Sequence, residues 1–542
     1  MRRRLALGLD SGTQSLSAAI VDIDLREKVF KHSLDYTRDT RLNGFGIRSR
    51  DYIVPPRVEG EADQPPELYF ASLDAMFSDI QDAGVGMEDI AVINVSGQQH
   101  GHVYLNHRAQ SLFAELDKKG AALSDLVTLL RGCLAYGVAP IWMTSNTVEQ
   151  ARLIQDRVGG KGSMIRLSGS NAPLRFTGLV MRRVAEQFPE AYEQTENIQL
   201  ISSLIPAVLT GNSKVPVDFG NACGTSLMDY RHKRWSPLLI RATSDGLPGG
   251  ESAFGSKLPS IVAPETIVGS IAMYFVSKYG FSRTCKIVVG SGDNPQSKVL
   301  VSGDLLSLGT SFVNMISADG ETLDMNGFAN AMYDGIGQPF LFGCRTNGAM
   351  VWDQLRAMYG MEKEDYGSAE EVLQQVPVAN YLVFWQPRNE SFPPSGRFDL
   401  VRIGHRAVNL GADYAGLIES TLAAVYHHSM GFTRETAEPL YVIGGASDSP
   451  GITRRLAAIW NRPVVPVEKG GAALGAAVAG VYAFTKSHGE TMGVQDFSIA
   501  ILKRGEKIVP RADDVSAFHC PSGYLERFEA EETKLIKAYP LE

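Results

Sequence analysis

The run Leu5-Ala6-Leu7-Gly8-Leu9-Asp10-Ser11-Gly12-Thr13-Gln14 decides how this chain is read. Apolar residues carry a strand up to Asp10, a Gly-Thr turn follows, and Ala18-Ala19-Ile20-Val21 resumes the apolar pattern, so the stretch predicts a β-hairpin. About three hundred residues later Leu305-Leu306-Ser307-Leu308-Gly309-Thr310-Ser311 repeats the design, with Phe312-Val313-Asn314-Met315 beyond the turn. Glycine lets the backbone turn tightly and bring its N–H groups close to an anion. Asp10 adds a carboxylate able to hold a metal through water. One such turn alone reads as a plain hairpin. Two predict a duplicated pair of domains that clasp a phosphate.

Composition supports a large globular enzyme. The 542 residues suffice for two domains with full cores, and 44% apolar with 21% charged residues leaves little room for disorder. A net charge of −8 argues against nucleic acid as a partner, because phosphate backbones are bound by clustered Lys and Arg. Cys133, Cys223, Cys285, Cys344 and Cys520 form no Cys-x-x-Cys pair, which fits a reducing compartment. Asp10 cuts the N-terminal apolar run too short for a signal peptide, and the apolar stretch from Ala472 to Phe484 is too short to span a membrane. The expectation is a cytoplasmic protein without a membrane partner, and a homodimer is compatible with it.

Strands alternate with helical patterns over most of the length, so the fold class is α/β. Four strand endings stand out: Asp10, then Ile90 to Val95 running into Ser96-Gly97-Gln98-Gln99-His100-Gly101, Lys286 to Val289 into Gly290-Ser291-Gly292-Asp293-Asn294, and Leu440 to Ile443 into Gly444-Gly445-Ala446-Ser447. Ligands of open α/β sheets sit beyond the carboxyl ends of strands, which makes the polar residues there the candidates. Leu123, Leu126, Leu129 and Leu130 share one helical face and predict a helical insertion between Asn106 and Gly137. The domain boundary is expected near Asp304, giving domains 1–304 and 305–542, with a terminal helix after Lys503.

Asp293 follows a strand and lies between Gly292 and Asn294, so its carboxylate is presented where the backbone can approach a ligand closely. It reads either as the base that takes a proton from an alcohol during phosphoryl transfer or as a turn-capping Asp. Gln98, Gln99 and His100 offer groups suited to sugar hydroxyls, and His100 also reads as structural. His102 and His107 bring no cysteine or carboxylate with them, so a zinc site is a poor reading. Gly444-Gly445, before a helix that begins near Ser449-Pro450, reads as a flat seat for adenine or as a routine connector. Asp218, Asn221, Gly224 and Thr225 either line the crevice or cap turns. The glycines of Ala472 to Ala477 read as close packing of a small-residue helix.

In order, Ser96-Gly97-Gln98-Gln99-His100-Gly101, Ser168-Gly169-Ser170, Arg175-Phe176-Thr177-Gly178, Pro189-Glu190-Ala191-Tyr192, Gly292-Asp293-Asn294-Pro295, Ser307-Leu308-Gly309-Thr310-Ser311 and Gly444-Gly445-Ala446-Ser447 resemble the FGGY carbohydrate kinases, within them the longer, eukaryote-like xylulose kinases. The resemblance implies two actin-like (ribonuclease-H-like) domains with a cleft between them, ATP and Mg²⁺ as cofactors, and a small-molecule sugar as substrate. The reaction implied is γ-phosphoryl transfer to the terminal hydroxyl of a ketose, the 5-hydroxyl for D-xylulose, with another pentulose, a polyol or a glycerol-like molecule as the alternative. It makes Asp293 the catalytic base and assigns Gln99, His100, Asn171 and Asn294, with Asp293, to the sugar. Asp10, Gly12, Thr13 and Gln14 fall to phosphate, Asp10 to the metal as well, Gly309 and Thr310 to the second phosphate turn, and Gly444, Gly445 and Ser449 to adenine. Asn171 stands where the longer type has Arg, Gln99 where shorter members have Met, and Ser449 where an adenine-side Asn is usual. These departures bear on the sugar, not on the transfer chemistry.

Overall fold

A computed structural model describes residues 3–118, 120–404, 408–434, 436 and 438–541. The chain divides into two compact units. The first comprises Met1–Leu300, Ala331–Pro339 and Gly470–Ile501; the second comprises Val301–Asn330, Phe340–Lys469 and Leu502–Glu542.

The main sheet of the first unit is built from β1 (Leu5–Ser11), β2 (Ser15–Asp22), β3 (Glu27–Asp35), β4 (Ile90–Gly97), β5 (Ile267–Ser270), β6 (Lys286–Val288) and the short β7 (Ser291–Gly292). Its order is β5-β6-β4-β1-β2-β3, with β7 beside the end of β4. β3, β2 and β1 form an antiparallel meander, while β1, β4 and β6 run parallel. β1 and β4 are apolar almost throughout because helices cover both faces of a central parallel pair. β3 is the edge, and its Glu27, Lys28 and Lys31 keep that edge polar.

The second unit repeats the order with β8 (Leu305–Leu308), β9 (Phe312–Ser317), β10 (Pro339–Arg345), β11 (Leu440–Ile443) and β12 (Val464–Pro466). There β10-β9-β8 is the antiparallel meander, and β11 and β12 add in parallel beyond β8. Meander, then parallel strands on the far side of the first: one sheet plan occurs twice, each time opening on a Gly-Thr hairpin.

The glycine-rich helix Ala472–Ser487 belongs to the first unit, where it lies on β1, β2 and β4. A Cβ on Gly8 would stand 1.9 Å from the Ala473 carbonyl oxygen, and one on Gly475 would stand 1.9 Å from that of Gln296. Both glycines are therefore required by close approach of backbones, in agreement with the packing reading of this segment. The insertion differs from expectation. Asp125 accepts a hydrogen bond from Thr128 N and caps a short helix, Leu126–Leu129, so Leu123 falls outside it at 94% exposure while Leu126 and Leu130 are buried. A strong local cap overrides the four-leucine periodicity. After Lys503 two helices form, Ala512–His519 and Tyr524–Ala538.

Candidate active site

Strand register in the first unit assembles a polar row. Asp10 of β1 stands opposite Ser96 of β4, which stands opposite Ser291 of β7, and one step on come Ser11, Gly97 and Gly292. Asp293 follows directly as the first residue of the Asp293–Val299 helix. Ser96 Oγ donates to Asp10 Oδ1 at 2.7 Å. Asp293 is half-buried. Its Oδ1 accepts from its neighbour Asn294, from the backbone N–H at 2.8 Å and from Nδ2 at 3.1 Å.

Electrostatics set this carboxyl apart. Burial, and then the nearby Asp10 carboxyl, push Asp293 up to about 7, against the backbone N–H groups of Asn294 and Gln99 that favour its charged form. Burial also raises Asp10, with the Ser96 hydroxyl opposing. Two carboxyls, one of which raises the proton affinity of the other, create local negative charge that a divalent cation would relieve. Mg²⁺ takes one or two protein carboxylates together with water and phosphate oxygens, so this pair fits it. Among the described residues no group of three or more His, Cys, Asp or Glu is placed to hold a metal.

The neighbouring amides divide their duties. Asn294 Nδ2 spends both hydrogens, on Asp293 and on Gln99 Oε1 at 2.9 Å, which leaves its Oδ1 to accept from a ligand hydroxyl. Gln99 thus orients Asn294, and its own Nε2 donates to the Met332 sulfur at 3.9 Å. Gln98 turns the other way: its Nε2 donates to Gln64 Oε1 at 2.8 Å, and its Oε1 accepts from Thr13 Oγ at 3.1 Å. The Thr13 hydroxyl also accepts from Trp142 Nε1 at 2.8 Å, so the first hairpin turn is clamped from both sides. Gly12 N donates to Ser15 O across that turn, and Gln14 is exposed.

His100 is buried with a left-handed backbone, φ 68°, and its ring stacks on Phe176 at 4.4 Å. Nδ1 lies 2.7 Å from the Gly224 carbonyl oxygen, which can only accept. Nδ1 therefore carries the proton, and Nε2 is left as an acceptor for a hydroxyl. Burial, then the Arg175 guanidinium, push this imidazole down to about 3, so it stays neutral at working pH. Asn171 is half-buried, and its Oδ1 accepts from Gln155 Nε2 at 2.7 Å.

Joined through Ser291 to the strand end before Asp293 is Asp218, which reads from the sequence either as a crevice residue or as a cap. Asp218 is fully buried; it caps the Phe219–Ala222 turn of helix through Asn221 N and accepts from Ser291 Oγ at 2.7 Å. Burial pushes it up to about 7. It is a cap and also the anchor for the strand end that delivers Asp293.

In the second unit, Gly309, Thr310, Gly445 and Ser449 line one cavity of about 680 Å³. Gly444 has φ 108°, and a Cβ there would stand 2.6 Å from the Leu308 carbonyl oxygen, so only glycine brings this turn onto the end of β8. Gly445 faces open space. Ser449 Oγ accepts from Ile452 N and caps the Pro450–Trp460 helix. The Gly309 and Thr310 carbonyls accept from Ala349 and Met350, which sets the second hairpin over the start of the Ala349–Met358 helix. Glu370, in the same wall, carried no signal in the sequence. A single glutamate on an amphipathic helix reads as solvated surface.

A sheet plan used twice, opening each time on a Gly-Thr hairpin, puts the protein in the actin-like class. The N-terminal domain model of the FGGY family of carbohydrate kinases matches residues 137–299, and the C-terminal domain model matches residues 305–484. The chain belongs to the FGGY family and is a carbohydrate kinase. It is similar to a probable D-xylulose kinase A of Aspergillus flavus, 27% identical with 99% of each chain covered. It is also similar to the xylulose kinase of Mus musculus, 27% identical over 86% of this chain and 83% of the other. The solved structure of ligand-bound xylulose kinase from Lactobacillus acidophilus shares the fold with a TM-score of 0.79 at 18% identity, covering 99% of both chains.

Proposed function

We propose that the protein transfers the γ-phosphoryl group of ATP to the 5-hydroxyl of D-xylulose, giving D-xylulose 5-phosphate and ADP. The observation that carries this reading is the half-buried Asp293 carboxyl beside Asp10, with a proton affinity raised to about 7. A base with that affinity is matched to taking a proton from an alcohol near neutral pH. The names of the relatives supply the sugar.

In this mechanism Asp293 accepts the hydroxyl proton as the sugar oxygen forms its bond to the γ-phosphorus, and the bond to the β-phosphate oxygen breaks to release ADP. His100 Nε2 and Asn294 Oδ1 accept from other sugar hydroxyls and hold the reacting one still. In the first unit Gly12, Thr13 and Gln14 serve phosphate oxygens, and Asp10 would hold Mg²⁺. The cation, when bound, neutralises phosphate charge. In the second unit Gly309 and Thr310 serve phosphate, and Gly444, Gly445 and Ser449 face the base. The five free cysteines suit work in the cytoplasm, and no described helix is long and apolar enough to cross a membrane.

The test is a coupled assay of ADP release with D-xylulose, in which Asp293→Asn lowers kcat by ~10²–10⁴-fold and moves KM only a few-fold. A variant that keeps parental kcat would remove Asp293 from the chemistry. A second acceptor has one observation in its favour: Asn171, already held by Gln155, lacks the reach of an arginine fork. Ranking D-xylulose, D-ribulose, polyols and glycerol by kcat/KM decides between them.

A further inference from the structure

The charged groups in the wall of the second unit's cavity are Asp353, Arg356, Glu370 and Asp448. Asp353 is paired with Arg356 at 2.8 Å, and Asp448 is exposed. Glu370 is half-buried and held rigidly. Its Oε1 accepts from Gly451 N at 2.8 Å and from Gln374 Nε2 at 2.6 Å, and its Oε2 accepts from the Ser449 hydroxyl. Oε1 is thereby saturated, while Oε2 retains a lone pair. Through Ser449 and Gly451 the carboxyl is tied to the start of the helix that follows Gly444-Gly445, so it is fixed in place relative to that turn.

Arg356 is 1% exposed; its terminal nitrogens bond to Asp353 Oδ1 and the Lys363 and Asp365 carbonyls, and its guanidinium lies 5.0 Å from the centre of the Tyr366 ring, which fixes this part of the wall.

We propose that Glu370 selects the nucleobase, accepting a hydrogen bond from the exocyclic amine of adenine and turning away bases that carry an oxygen there. The inference rests on the nucleotide reading of this cavity. A carboxylate can only accept. An amine at the purine 6-position donates to it, whereas the carbonyl of hypoxanthine or guanine would set acceptor against acceptor in a partly desolvated site.

The experiment measures Kd for ADP and for inosine diphosphate, which differs at the 6-position, by calorimetric titration of the full-length protein. The parent should bind ADP at least ~10-fold more tightly. Glu370→Gln should bring the two within ~3-fold, because an amide can offer oxygen to the amine or nitrogen to the carbonyl. Gln374→Ala is the control: it removes a partner of Glu370 Oε1 from outside the cavity wall, keeps the carboxylate and should keep the preference for ADP. Equal affinities in the parent, an unchanged ratio in Glu370→Gln, or loss of the ratio in Gln374→Ala would overturn the role of Glu370 while leaving the kinase reading intact. Failure of the parent to bind either diphosphate would overturn both.

Discussion

Asp293 brings activity and stability into opposition. Its proton affinity is raised, so it works as a base only above that point, and kcat/KM should fall tenfold per pH unit below an apparent pKa near 7. The stability effect has the opposite sense. Below the ordinary carboxyl value of 3.8 both folded and unfolded chains hold this proton; between 3.8 and about 7 only the folded chain does. Folded stability from this group therefore declines as pH rises through that window, and its full cost is present above it. Asp293→Asn removes the cost, on the order of 2 kcal/mol after allowing for partial exposure. The inactive variant should melt about 2–4 °C above the parent at pH 8 and level with it near pH 4. Equal melting at both values would show the carboxyl to be solvated. Asp293 was legible because a strand ending in Gly-Asp-Asn announces a presented carboxylate. The separate duties of Gln98 and Gln99 were not, because adjacent residues of one type leave a strand end in different directions and only their partners tell them apart.

At the level of elements, the Ala472–Ser487 helix shows how packing overrides propensity. Replacing a helix-interior glycine by alanine ordinarily gains ~1 kcal/mol. At Gly475 the new methyl would meet the Gln296 carbonyl oxygen at 1.9 Å, and that backbone belongs to the helix opened by Asp293. Overpacking costs ~1–3 kcal/mol or more and forces that helix to move. Gly475→Ala should lower the melting temperature and cut kcat by tenfold or more; a variant with parental melting and turnover would mean the two helices do not meet as described. The close packing of this helix was readable from its small residues. Its partners were not, since no local pattern says that a segment near residue 475 lies on strands near residues 8 and 94. The Leu123 misreading has a local cause: Asp125 starts a new helix, and periodicity across a cap means nothing.

The whole molecule was legible through duplication, because a hairpin signature that occurs twice implies a sheet that occurs twice. The path of the chain was harder to read, as the first unit draws on Gly470–Ile501 as well as on the first 300 residues. A fragment of residues 1–300 leaves β1 and β4 without the helix that covers them, and such apolar strands are not stable uncovered. That fragment should show no cooperative thermal transition. Adding residues 470–501 through a flexible linker should restore one. Cooperative melting of 1–300 at the parental temperature would show the helix to be dispensable.

The returning helix also governs how the protein comes into being. A ribosome delivers the strand bearing Asp10 and the helix opened by Asp293 long before it reaches Gly470, so the half-finished lobe waits with an apolar face bare while the second unit is made. Chaperone capture should concentrate in that interval, and nascent chains stalled before residue 470 should be digested by protease while those released past residue 501 resist it.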